Sequence, residues 1–273
     1  MPVINTNVAA IKARSNFDRV QREMDRSITR LSSGKRINTA ADDASGFAIA
    51  GKLESQIRGL TMVSKNIKDA LSYADTMEGA MQEVSNILQR MRELAVQASS
   101  GVTTVTDNGY LQLEMDQLIN EIDAIADNTK FNGASVLSSG GTVSFFSDID
   151  VTGNTTVVVT SDMHISVLGI TGNNVSVATL SMAQSSINNI DDAIAIVDNR
   201  RANLGAISNR FNHTIDNLTN IVANTEAAKS RIMDADYATE TTALTRNTIL
   251  QQAATSMIAQ ANASKNSVLT LIQ

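Results

Sequence analysis

The sequence predicts a mainly α-helical fold, a long antiparallel helical bundle or coiled coil with a small β-hairpin insert. Apolar residues recur at steps of three and four along most of the chain, which is the spacing of one helix face. Hydrophobic residues make up 42% of the chain but aromatic residues only 3%, which favours a thin core between paired helices. The single proline is Pro2, so no later proline interrupts a helix.

The first predicted helix runs from Ile4 to Leu31 and has a narrow, discontinuous apolar stripe. A helix with so little apolar surface is marginal alone in water, so it needs a partner. The stretch Ser32-Ser33-Gly34 predicts the end of this helix, because its glycine can adopt the left-handed conformation. Lys35 and Arg36 follow, where positive charge interacts favourably with a helix C-terminus.

A second, much longer helix follows this break. Thr39 to Asp42 fit the capping-box pattern, which places Asp42 and Asp43 in the first helical turn. Its apolar stripe continues from Ile49 to about Ser100. Turn-forming residues occupy 99–110, and a third helix is predicted over 111–128, antiparallel to the second because the link is short.

The region 142–180 is rich in β-branched residues and punctuated by turn sequences, so strands and hairpins are expected there, including one at "HISVLGI". Helical spacing resumes over 187–232, is interrupted at "DADYATE", and returns over 244–272. The pattern is close to a mirror image, so we expect the terminal helices to pack together. This predicts a discontinuous terminal domain, 1–43 with 231–273, and a rod domain, 44–230. Both ends are expected to be disordered in the monomer and to order on assembly.

Composition excludes several classes of function. The absence of cysteine excludes disulfides, thiol catalysis and zinc–thiolate sites. Residues 1–36 carry eight basic and three acidic side chains, whereas 107–127 carry six acidic and no basic ones. Without a tight basic cluster or interleaved aromatics, this asymmetry favours a solvated or acid-paired helix face over nucleic-acid binding. The sequence shows no apolar run typical of a cleaved signal peptide or a membrane span.

No residue pattern indicates catalysis, a cofactor or a metal. His164 and His213 are expected to be isolated surface histidines. Asp42 and Asp43 are explained by helix capping, and "DNGYLQLEMD" lacks the spacing of a calcium loop. The stretch "QRMRELAVQ", 89–97, is the densest polar surface. Arg90, Arg92 and Glu93 lie off the apolar stripe, where Glu114 of the next helix is expected to face them. Ordinary ion pairing between helices is favoured over a binding site here.

Four stretches together resemble bacterial flagellin: "LSSGKRINTAADDASGFAIA", "LQRMRELAVQAS", "FNGASVL" and "AKSRIMDADYATETTALTRNTILQQAATSMIAQAN". The resemblance covers both outer thirds of the chain. It implies a subunit that self-assembles into the extracellular flagellar filament for swimming motility, exported unfolded by the flagellar type III apparatus. The terminal segments 1–43 and 231–273 would form an inner coiled coil and 44–230 an outer layer. Only about 40 residues separate the two halves, which implies a short form without variable outer domains.

The resemblance also implies partners and sites. The expected partners are further copies of this chain, an export chaperone at the C-terminal segment 232–273, the filament cap and hook-associated proteins, and other flagellins. The host Toll-like flagellin receptor would recognise the monomer. Three groups of residues match functional positions: the interlayer connector Ser32, Ser33, Gly34, Lys35 and Arg36; the receptor-binding positions Arg90, Leu94 and Glu114; and the glycosylation candidates Ser144, Ser147, Thr155, Thr156 and Ser166.

Two alternatives to a filament subunit remain open at this point. A hook–filament junction protein would share the terminal pattern, although "LSSG" and the C-terminal segment match the filament subunit more strongly. A flagellin-like cell-surface adhesin would have to bind through the short β segment, which shows no aromatic platform for sugars.

Overall fold

A computed structural model describes residues 6–146 and 155–270, with the side chains of 155–156 and 265–270 outside that description. The mainly α-helical prediction is confirmed. The helices are α1 (Val8–Ser33), α2 (Ala44–Ala98), α3 (Val105–Asn128), α4 (Ile165–Leu168), α5 (Leu180–Met233) and α6 (Tyr237–Thr270). The strands are β1 (Lys130–Phe131), β2 (Ala134–Ser135), β3 (Gly141–Phe146) and β4 (Thr155–Thr160).

The chain forms two compact units, one of 1–57 with 223–273 and one of 58–222. We call them the terminal unit and the central unit. The domain boundaries expected from the sequence, at 43/44 and 230/231, concern layers of an assembly and stay a prediction.

In the terminal unit, α1 and α6 pack against each other as antiparallel helices. Residue numbers rise along α1 as they fall along α6 in four contacts: Asn7 with Ala261, Gln21 with Gln251, Arg30 with Glu240, and Leu31 with Tyr237. Within α1, only Val20 and Ser27 are buried. The thin stripe seen in the sequence therefore remains a thin interface, and disorder of the ends in a free monomer stays a prediction.

The interruption after α1 partly follows the sequence prediction. Gly34 ends α1 in the left-handed conformation, with φ 69°, as predicted. The capping prediction is wrong, because α2 begins at Ala44 and the helix N-terminus is capped by Asp43, whose side chain accepts from the Gly46 N–H at 2.9 Å. The Asp42 carboxylate instead accepts from the N–H groups of Asn38 and Thr39, which closes the preceding turn.

The central unit is built from α2, α3 and α5 around one continuous core. Its largest fully buried side chains include Met77, Met81, Leu88, Met91, Leu94, Met115, Ile122 and Phe211. The helix α3 begins at Val105, six residues before the predicted start at Leu111, because Thr104 and Asp107 form a reciprocal capping box. The link between α2 and α3 is therefore shorter than the run of turn-forming residues, 99–110, predicts.

Two hairpins follow α3. The shorter one, β1–β2, is absent from the elements predicted above. It turns at Asn132 and Gly133, both with positive φ (48° and 82°). The longer one, β3–β4, pairs Gly141 with Thr160 through Phe146 with Thr155 and lies within the predicted β region. Tyr73 of α2 contacts both hairpins through Phe131 and Phe145, with ring centroids 5.5 and 6.0 Å apart.

The strand predicted at "HISVLGI" is wrong, because Ile165–Leu168 form the short helix α4. The Asp123 carboxylate of α3 accepts from the Ile165 N–H at 3.0 Å, and Gly169 ends the helix with φ 73°. Across 6–146 and 155–270, no helix is long and apolar enough to cross a membrane.

Candidate functional site

The connector expected from the sequence, Ser32 to Arg36, lies directly beside the second interruption of the chain at 233–235. An antiparallel β-bridge between Lys35 and Asp234 joins them. Its two backbone hydrogen bonds run from the Arg36 N–H to the Met233 carbonyl at 2.6 Å and from the Ala235 N–H to the Gly34 carbonyl at 3.0 Å. The break after α1 and the break between α5 and α6 are separate features of the sequence. In the structure they form one element of the terminal unit.

Side chains reinforce this element. The Arg36 guanidinium donates to the Ile232 carbonyl at 2.7 Å, and the Ser33 hydroxyl accepts from the Lys35 N–H at 3.1 Å. Ile37 is buried directly after the connector. Gly46 leaves room for it, because a Cβ on Gly46 would lie 2.8 Å from the Ile37 Cδ1 atom. The side chain of Ser32 is exposed.

The carboxylates next to the connector are held in their charged form. The backbone N–H of Thr39, followed by that of Asn38, lowers the pKa of Asp42. The Gly46 N–H, followed by the Ser45 hydroxyl, lowers the pKa of Asp43. These carboxylates act in the local structure as hydrogen-bond acceptors.

An ion pair joins α1 to α6 near the connector. Arg30 Nη1 lies 2.9 Å from Glu240 Oε1, and the Glu240 side chain is only 10% exposed. The Arg30 Nε atom is buried and has no hydrogen-bond partner within the described ranges. The Tyr237 hydroxyl adds a bond to the Leu31 carbonyl at 3.1 Å. Removing one partner of such a pair leaves the other charge largely buried and unpaired, which is strongly unfavourable.

The terminal unit leaves large apolar side chains exposed on both helices and on the first turns of α2. They are Val8, Ile11, Ile28, Phe47, Ile49, Tyr237, Ile249, Leu250 and Met257. A groove of about 470 Å³ on α6 is lined by Thr241, Thr242, Thr245, Arg246, Ile249 and Leu250. A second groove of about 410 Å³ is formed by α1 and α6 and includes Val20, Leu250 and Met257. Such surfaces are typical of helices that pack against further helices.

The central unit carries a second candidate site, which we call the arginine patch: Arg90, Arg92 and Glu93 of α2 with the side chains they contact. Arg90 Nε and Nη2 lie 2.9 and 2.7 Å from Glu114 Oε1 of α3, so Glu114 faces this surface and pairs with Arg90. Arg90 Nη1 contacts Glu93 Oε2 at 3.0 Å. Arg92 Nε contacts Asp191 Oδ1 of α5 at 2.6 Å.

The two arginines therefore tie α2 to different neighbours, Arg90 to α3 and Arg92 to α5. The hydrogen bond to Glu114 raises the pKa of Arg90, and that to Asp191 raises the pKa of Arg92. All four side chains are almost half exposed, so solvent screens the pairs and their contribution to stability is small. Their value is geometric, because they hold charged groups at fixed positions on an accessible surface.

Leu94, expected from the resemblance at the receptor surface, is fully buried in the core of the central unit. It therefore has no exposed surface for direct contact with a partner, and it supports the patch from beneath. The exposed neighbours are Gln89, Val96 and Gln97, which border a shallow groove of about 350 Å³ together with Arg92 and Glu93.

The structure describes the side chains of two of the five glycosylation candidates. Ser144 is exposed on β3 and Ser166 is exposed on α4. Ser147 lies outside the described residues. Thr155 and Thr156 are placed only by their backbone pairing with Phe146 and Phe145. Glycosylation at these positions stays a prediction.

The prediction of two isolated histidines is wrong for His164, whose ring nitrogens contact Asp162 and Asp127 at 2.6 and 3.2 Å. The sequence offers no signal for the second contact, because Asp127 is 37 positions away. His213 is exposed on α5. Among the residues that the structure describes, no group of three or more His, Cys, Asp or Glu is arranged to hold a metal ion.

Comparison with known proteins gives consistent matches over the chain. The bacterial flagellin N-terminal helical region matches residues 4–142, and the bacterial flagellin C-terminal helical region matches 187–272. A flagellin of Halalkalibacterium halodurans is 40% identical over 99% of this chain and all of its own length. Flagellin FlaB1 of Treponema pallidum is 34% identical with the same coverage. The crystal structure of Bacillus cereus flagellin superposes with a TM-score of 0.51 at 33% identity, covering 60% of this chain and 94% of that one.

Proposed function

Since this chain belongs to the bacterial flagellin family and is a structural subunit of the extracellular flagellar filament, not an enzyme, we propose that it polymerises with itself through its terminal helices. The observation that supports this most strongly is the exposed apolar surface of α1 and α6. A helix pair that buries only Val20 and Ser27 on α1 leaves most of its apolar side chains at least partly exposed. Further copies of the same pair can cover them, as in a multi-helix coiled coil.

We further propose that the polymer has two layers, an inner coiled coil of 1–43 with 231–273 and an outer layer of 44–230. The paired breaks at Gly34 and Asp234 support this division, because the helices at both ends of the chain are interrupted beside each other. The connector is then the element that passes between layers. With only about 40 residues between the two matched halves, the filament surface lacks protruding outer domains.

Other parts of the proposal rest on the family resemblance. They are export through the flagellar type III apparatus without a cleaved signal peptide, an export chaperone at 232–273, and contacts with the filament cap, hook-associated proteins and other flagellins. The exposed apolar residues of α6 in that segment, among them Tyr237, Ile249, Leu250 and Met257, are the kind of surface that a chaperone covers before assembly.

Seeded polymerisation tests the central proposal. Purified monomer is expected to form long filaments when short filament fragments are added, because seeds bypass the unfavourable nucleus. Electron microscopy and light scattering follow the growth. An adhesin would remain a soluble monomer under every salt and pH condition, and a junction protein would bind filament ends without elongating them. Either result would contradict self-assembly.

We also propose that the dissociated monomer is recognised by the Toll-like flagellin receptor through the arginine patch. The positions Arg90 and Glu114, which match the family's receptor-binding residues, form a fixed ion pair on an exposed face. Leu94 acts from the core by holding α2 in place.

Replacing Arg90 with alanine is expected to reduce receptor activation by monomer at least tenfold, because a charged pair at a protein interface supplies specificity and orientation. A reporter-cell assay over a range of monomer concentrations measures this. The matched control is Arg201→Ala, which removes a central-unit ion pair with Glu78, at 3.6 Å, outside the patch. Wild-type activation by the Arg90 variant, or no response to pure wild-type monomer, would contradict the proposal.

A further inference from the structure

His164 joins the segment 161–170 to α3 through a contact that only the protonated ring can make in full. Its Nδ1 lies 2.6 Å from Asp162 Oδ1 and its Nε2 lies 3.2 Å from Asp127 Oδ1. Both partners are carboxylate oxygens, which accept hydrogen bonds and do not donate them when ionised. An imidazolium donates to both, whereas a neutral imidazole donates to one and turns a lone pair toward the other.

From this geometry we propose that His164 is a pH-sensitive latch that fastens residues 161–170 to α3 when protonated and loosens them when it loses its proton. The two carboxylates come from different places, Asp162 from the segment itself and Asp127 from α3. The latch is therefore a tertiary contact, and breaking it affects the packing of the segment on the central unit.

The charged groups around the ring agree with a protonated latch. Asp162 and Asp127 contact it directly, and Asp123 of α3 accepts from the adjacent Ile165 N–H. Arg200 of α5 acts electrostatically on Asp162 and is the one cation among these groups. The hydrogen bond to Asp162 is the largest influence on the pKa of His164 and raises it. Burial opposes it as the second influence, and the hydrogen bond to Asp127 raises the pKa further.

The direction of the pH effect follows from the raised pKa. The stability that the latch contributes is fully present below about pH 6.5, the ordinary pKa of histidine. It is lost as pH rises through the higher pKa that His164 has in the folded chain. Met163, Leu168 and Ile170 stay buried in the core, so deprotonation loosens the segment rather than releasing it. Exposed Ser166 and Val167 lie within the segment, so its mobility changes an outer surface of the central unit.

The chain contains only two histidines, so single substitutions assign their ring signals. Nuclear magnetic resonance of the imidazole rings in dissociated full-length monomer is expected to show His164 titrating above the ordinary value for histidine, about 6.5. Amide hydrogen exchange is measured over the same pH range. As the pH rises, exchange in residues 161–170 is expected to accelerate by more than intrinsic base catalysis alone produces. Buried residues of α2 provide the unaffected reference.

Two variants, with His213→Gln as their control, separate a latch from a merely structural contact. Asp127→Asn lets a neutral ring donate to Asp162 and accept from the new amide, so we expect the pKa of His164 to fall and protection to persist at high pH. His164→Gln removes the pH step altogether, and His213→Gln leaves it unchanged. A His164 ring that titrates at or below about pH 6.5, or a step in exchange protection that His164→Gln leaves unchanged, would overturn the latch.

Discussion

Replacing Ile249 with aspartate is expected to abolish polymerisation while the monomer stays folded. The Ile249 side chain is 61% exposed on α6 and lines the groove of about 470 Å³ on that helix, so a carboxylate there stays hydrated in the monomer. In the proposed inner coiled coil the same position is covered by another copy. Burying an unpaired carboxylate is strongly unfavourable, and the penalty recurs in every subunit.

The expected size is a rise of at least about 100-fold in the critical concentration for assembly, which corresponds to roughly 2.7 kcal/mol per subunit. Sedimentation of seeded samples measures the unpolymerised fraction, and circular dichroism with denaturant unfolding checks the monomer. Ile249→Leu keeps the apolar surface and serves as the matched control. Normal assembly of the aspartate variant would show that this face of α6 remains in water.

The contrast between Leu94 and Ile249 shows what sequence spacing can predict. Leu94 continues the stripe of Met91 and Ala98, so its burial follows from helical period alone, although the resemblance assigned it to a surface. Ile249 belongs to a helix whose apolar residues are not confined to one face. Its exposure in the single chain becomes apparent only when α6 is seen packed on α1.

Helix ends and turns can be predicted from the sequence where a single residue type determines the local conformation. Gly34 ends α1 as expected, because few other residues adopt a positive φ easily. The predicted start of α2 is too early because Thr39 to Asp42 match a capping box in sequence. Only the structure shows that Asp42 closes the preceding turn and that Asp43 caps the helix. The Asn132–Gly133 hairpin carried a visible turn signal that the long helical pattern obscured.

Long-range partners could not be predicted from spacing. The helix α4 forms in a β-branched stretch because Asp123, 42 positions earlier, accepts from the Ile165 N–H. The bridge between Lys35 and Asp234 joins two breaks that sequence analysis saw as separate ends of a mirrored pattern. In both cases tertiary contacts override local propensity, which is a weak determinant in short segments.

Deleting Ser32 to Gly34 is expected to block filament assembly while the central unit stays folded. The deletion removes the left-handed residue that ends α1 and the carbonyl that accepts from the Ala235 N–H. It also joins Leu31 directly to Lys35, so α1 cannot keep both its register with α6 and the bridge to Asp234. The core of the central unit uses none of these residues, so its unfolding transition should be unchanged.

Two controls separate the effect of shortening the connector from the effect of losing its side chains. The double variant Ser32→Ala with Ser33→Ala keeps the backbone path and is expected to polymerise, because the bridge depends on backbone groups of later residues. Gly34→Ala keeps the length but strains the left-handed turn by roughly 1–2 kcal/mol, so an intermediate loss is expected. Seeded growth ranks the three variants, and thermal unfolding followed by circular dichroism reports the central unit. If the deletion variant elongates seeds as well as the wild type, the paired breaks do not connect two layers of the filament.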